Sequence, residues 1–216
     1  MSGSQGLWLW QHPLVERSVD NVQKIYAVII ALAITQAIQN LLKSPGSTTV
    51  DLSLRQVSAG LPAFIAFLVT LVPFWQGMNR HLDRCYLEKT AGVRQRVLLV
   101  DFAVFFVEAI FLFAAGWSIK SDIETFYWLA ALLGVDTVWS VASHYIHFPG
   151  TKSHSVKWAA INVCAIVIAI FVVEYPFQHK EFVLTVIAVG RSIADYVLCG
   201  DFYFPSASNA SLPNTA

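Results

Sequence analysis

Residues 97–117 read VLLVDFAVFFVEAIFLFAAGW, twenty-one residues broken only by the acidic side chains Asp101 and Glu108. At a rise of about 1.5 Å per residue such a helix reaches about 30 Å, the thickness of a bilayer hydrocarbon core. Lipid supplies no hydrogen-bond partner for a peptide group, so a run of this kind must satisfy its backbone internally, as a helix. Asp101 and Glu108 stand seven residues apart, which puts them on one face of that helix.

Five further stretches have the same character, at about 25–42, 59–78, 123–147, 156–175 and 182–204. The fold expected is therefore all-α, a polytopic bundle of about six transmembrane helices. Composition agrees. Hydrophobic residues make up 56% and charged residues 13% of the 216 residues, against about 25% charged in soluble domains. Residues 1–24 are read as a cytoplasmic N-terminal segment, partly interfacial through Trp8 and Trp10, residues 25–204 as the transmembrane domain, and 205–216 as a disordered tail. Pro62 and Pro73 predict a bend in the second span.

Arg17, Lys24, Arg80, Arg84, Lys89, Arg94, Arg96, Lys152 and Lys157 fall on one side, and Lys43, Arg55, Lys120 and Lys180 on the other. The excess of cations marks the cytoplasmic side and places both termini there. The formal net charge of zero gives no attraction to nucleic acid. The partners expected are the bilayer, a small solute or ion, and a second copy of the chain. Cys85, Cys164 and Cys199, placed in a loop, in mid-span and near a span end, read as free packing thiols.

The polar residues inside the spans are the candidates for function. A charge at the centre of a lipid-facing helix costs at least about 2.5–3.5 kcal/mol, so such groups are expected to face one another. Counting depth along each span puts Glu108, Asp136 and Arg191 near the midplane, with Asp195 closer to the cytoplasm. Asp101, His144 and His147 form a shallower layer, near Arg80, His81, Asp83 and Arg84. Asp136, Ser140, Ser143, His144 and His147 make one polar stripe on the fourth span. Arg keeps its charge and holds one carboxylate ionised; burial and like-charge repulsion favour the neutral acid form of a second.

That combination suits transport or conduction of a proton or small cation, with Glu108, Asp136, Arg191, Asp195, Asp101 and His144 as the pathway and no cofactor. Two other readings stand beside it. One is an intramembrane enzyme acting on a lipid or isoprenoid substrate through the His/Asp cluster. The other is a scaffold or pore subunit whose polar core only holds helices together. A non-enzymatic role is preferred, since nucleophile-elbow, Walker and dinucleotide-binding patterns are missing. No metal is assigned; His81, His144, His147 and Asp101 are the alternative should one bind.

Overall fold

The computed structural model describes residues 5–43, 54–88, 95–120, 123–147 and 154–204, and of 5–12, 54–56 and 95–96 the backbone alone. The described elements are helices: α1 (Gln5–Leu42), α2 (Leu54–Leu82), α3 (Gln95–Trp117), α4 (Glu124–His147), α5 (His154–Glu174), α6 (Lys180–Leu198) and the single turn α7 (Gly200–Tyr203). A π-helical turn, Asp83–Leu87, extends α2 and is closed by the Glu88 N–H donating to the Asp83 carbonyl at 2.9 Å. Five helices are long and apolar enough to cross a membrane, within Pro13–Leu42, Val57–Leu87, Val97–Trp117, Glu124–His147 and His154–Glu174. The chain is a multi-pass integral membrane protein of the all-α class. α6, the sixth stretch, is 19 residues long and carries Lys180, Glu181, Arg191 and Asp195.

The helices close a ring. α1 lies against α2 and α3, α3 against α4, α4 against α5, α5 against α6, and α6 against α2; α2 also reaches α3 and α4 across the middle. The outer surface is apolar, and the interior sets the buried polar groups within a hydrophobic core that includes Phe67, Leu82, Leu112 and Leu132. Val100, Phe106 and Ile110 on α3, and Val167, Ile168 and Ile170 on α5, are exposed, whereas Asp101, Glu108 and Asn162 on the same two helices are buried.

Lipid tails are as apolar as Leu, so helices in a membrane associate through close packing and hydrogen bonds rather than burial from water. Both devices occur here. On α1, Ala33 and Ala37 meet Gly116 of α3, where a β-carbon would lie 2.7 Å from the Ala33 carbonyl oxygen. On α2, Pro73 has no N–H to offer the Val69 carbonyl four residues earlier. The Ser192 hydroxyl of α6 donates to that carbonyl at 2.6 Å, and the Thr185 hydroxyl donates to Pro62 O at 2.9 Å. The proline that interrupts α2 thus supplies an acceptor that ties α6 to it.

Two sequence expectations differ in detail. α1 begins at Gln5, well before residue 25, as one helix running into the span. Cys85 sits in the π turn and is buried, not in a connecting loop. The side chains of Trp8, Trp10, Arg55, Lys89, Arg94, Arg96 and Lys152, and the tail 205–216, lie outside the described residues.

Candidate functional site

A cavity of about 40 Å³ lies between α2, α3, α4, α5 and α6. Its wall includes Glu108, Asp136, Arg191 and Asp195, together with His81, Trp139, Ser143 and Tyr203. Four of the six pathway candidates therefore face one space. Each is delivered by helix register: Arg191 and Asp195 are one turn apart on α6, and both are buried.

Arg191 is held from two sides. Its Nε and Nη2 donate to Asn162 Oδ1 at 3.0 and 2.8 Å, and its Nη1 lies 3.2 Å from Asp195 Oδ2. The guanidinium carbon stands 5.1 Å over the Phe74 ring. Asn162 Nδ2 donates in turn to Asp136 Oδ2 at 2.6 Å. The link between Asp136 and Arg191 thus passes through Asn162 of α5, a residue not singled out from the sequence. Asp195 also accepts from Trp158 Nε1 at 2.7 Å and from the Tyr203 hydroxyl at 3.0 Å. The interruption of the helix at Cys199, between α6 and α7, lets Tyr203 turn back into the cavity.

Glu108 is different. It is 2% exposed, its Oε1 accepts no hydrogen bond, and no ion pair to it forms among the described residues. Trp139 Nε1 and Ser143 Oγ are likewise buried without a hydrogen-bond partner, and both line the same cavity. Buried polar groups are nearly always satisfied by protein or water. At about 10–15 Å³ per water-sized probe, the cavity has room for about three or four waters to serve them.

A second cluster abuts the cavity at His81. Asp101 Oδ2 lies 3.3 Å from His81 Nε2 and 3.4 Å from His147 Nε2, and it accepts from the Tyr86 hydroxyl. Cys85 Sγ lies 3.7 Å from His81 Nε2 and 3.9 Å from its Nδ1. The rings of His81 and His147 are 5.2 Å apart, edge to face. The π turn makes this arrangement. In an α-helix, at about 100° per residue, Tyr86 would point about 140° away from His81; the wider i→i+5 turn leaves His81, Cys85 and Tyr86 all buried on one side.

His144 stands apart. It is half-buried, its ring lies 5.3 Å from Tyr145, and it touches neither Asp101 nor the cavity wall. Of the four residues considered for a metal, His81, His147 and Asp101 come together, and Cys85 takes the place expected for His144.

The site is thus built from a polar cavity with three acidic side chains and one guanidinium on its wall, and a His/Cys/Asp cluster at its margin. No protein-family model, curated protein or solved structure matches this chain, so the functional reading rests on that geometry.

Proposed function

We propose that the chain moves protons or a small cation across the membrane through the cavity, with Glu108 and Asp136 as the groups that take up and release the cation. In this reading α6 is a sixth crossing, both termini are cytoplasmic, and Asp101 lies towards the cytoplasmic end of the path, with His144 off it. The low apolarity of α6 follows from its inward Arg191 and Asp195, while Val186, Ile193 and Val197 face outward.

The single observation that carries the proposal is the unpartnered, buried carboxyl of Glu108 in a cavity sized for water. A purely structural polar core has every charge matched, because an unmatched one destabilises the fold. Here three cavity carboxyls face one guanidinium, and that guanidinium is already engaged by Asn162 and Asp195. Occupancy by a proton or cation would supply the missing positive charge at Glu108. Arg191 competes for the same carboxylates, so binding and helix position are coupled.

The test is flux. The purified chain in liposomes carrying an internal pH dye is given an imposed pH gradient, then Na⁺ or K⁺ gradients at fixed pH. Decay of one of these gradients faster than in protein-free vesicles is expected. Gradients that persist as in protein-free vesicles would remove the proposal.

A further inference from the structure

We propose that His81, Cys85, His147 and Asp101 form a binding site for one divalent transition-metal ion, with Zn²⁺ the best-suited ion. This goes beyond the transport reading, because the site needs no flux to exist.

The distances carry the argument. Zinc bonds of about 2.3 Å to sulfur and about 2.0–2.2 Å to nitrogen or oxygen, at tetrahedral angles, separate bound S and N by about 3.6 Å and bound N and O by about 3.4 Å. Cys85 Sγ lies 3.7 Å from His81 Nε2, and Asp101 Oδ2 lies 3.3 and 3.4 Å from the two imidazole Nε2 atoms. Both Asp–His separations exceed the roughly 2.9–3.0 Å of an ordinary N–H···O hydrogen bond, yet fit donors spaced around an ion. The ligand atoms of His81, Cys85 and His147 all lie within 4.8 Å of one another, so metal binding draws the widest pair among these three in by at most about 1 Å, with the Asp101 carboxylate completing the shell from the side of the two imidazoles.

Charge and surroundings agree. A thiolate and a carboxylate neutralise a divalent ion, and two neutral imidazoles complete a four-coordinate shell with no net charge. That is the arrangement a low-dielectric interior tolerates. His81 is 6%, Cys85 5% and Asp101 0% exposed. Tyr86 donates its hydroxyl to the Asp101 carboxylate, orienting it as outer-shell partners do. The second oxygen, Oδ1, is buried without a hydrogen bond. Phe105 packs edge-on against His81 at 5.8 Å and Trp139 against His147 at 6.5 Å, giving an apolar wall. A thiolate with two imidazoles selects zinc, cobalt or copper over the oxygen-seeking Mg²⁺ and Ca²⁺. Binding releases the Cys85 thiol proton to solvent. The ion would tie α2, α3 and α4 together.

The experiment uses the full chain in detergent, stripped with chelator and titrated with Co²⁺. The expected result is one equivalent bound, with the visible bands of four-coordinate Co²⁺ and a thiolate charge-transfer band, all displaced by Zn²⁺. Cys85→Ser should lose the charge-transfer band and bind at least tenfold more weakly. His147→Ala should weaken binding similarly, and His144→Ala should leave the spectrum as in wild type. Glu108→Gln should also keep it, although the transport reading predicts loss of flux, so the two proposals fail separately. Monodisperse wild-type protein that shows no four-coordinate bands in excess Co²⁺ would overturn the site. So would a spectrum that survives both Cys85→Ser and His147→Ala.

Discussion

Two polar regions meet at one cavity and are neutralised by opposite strategies. Around α5 and α6, the chain carries its own permanent cation: Arg191 pairs with Asp195 on its own helix and reaches Asp136 of α4 through Asn162. At the π turn the guanidinium groups turn elsewhere, Arg80 to Glu88 and the Phe202 carbonyl and Arg84 over the Phe202 ring, and neither pairs with Asp101. Asp101 sits between two imidazoles and the Tyr86 hydroxyl, and His81 in turn faces the Cys85 thiol; the charge of the imidazoles and the thiol depends on a proton or an ion. Glu108 lies between these regions and shares the compensation of neither. The contrast teaches that a buried acid in this protein is matched either by a fixed charge, as Asp195 is by Arg191, or by groups whose charge can change, as Asp101 is by His81 and His147, and the second kind is where exchange of a proton or an ion is proposed.

The contrast breaks most visibly at Arg191. Arg191→Met should strip the fixed cation and leave Asp195 and Asp136 uncompensated, at a cost of about 3–5 kcal/mol. Loss of the monodisperse peak and a lower thermal midpoint in detergent would report it. A smaller effect is expected from the exchangeable side. Zn²⁺ at about a hundred times its dissociation constant should stabilise the wild type by about 2.7 kcal/mol, and chelator should reverse this. Thermal scans of wild type and His147→Ala, each with and without Zn²⁺, measure it. Asn162→Ala leaves Arg191 and Asp136 each short of a hydrogen bond and should cost about 1–3 kcal/mol by the same scan. His144→Ala, outside both regions, should stay within about 0.5 kcal/mol of wild type.

The span 97–117 was readable to its ends, because an apolar run of bilayer length bounded by polar residues leaves few other structures available. The inward faces of α3 and α6 were readable for a related reason: Asp101 with Glu108, and Arg191 with Asp195, recur at helical spacing, and all four are buried. The stripe on α4 was read too broadly. At about 100° per residue, Asp136, Ser140, Ser143 and His147 share an arc of about 60°, while His144 falls about 60° beyond His147. That arithmetic separates the two histidines from sequence alone. Cys85, four residues after His81, lies about 40° from it on an α-helix and was missed because its segment was read as a loop, whereas Tyr86 was beyond such arithmetic, because a π turn changes the angle per residue and no local residue announces it. The role of Asn162 depended on which helices neighbour α5, information carried by the ring of contacts rather than by any one segment. The reach of α1 back to Gln5 was hidden by a polar composition that fits an interfacial strand of chain as well as a helix.

The central claim is that Glu108 is the acid left for an exchangeable partner. Proton flux into liposomes, measured side by side for wild type and Glu108→Gln at equal incorporation and equal thermal midpoint, tests it most directly. The account predicts that Glu108→Gln falls at least tenfold, to the level of protein-free vesicles, while wild type dissipates the gradient. A Glu108→Gln protein that dissipates it as fast as wild type would contradict the account.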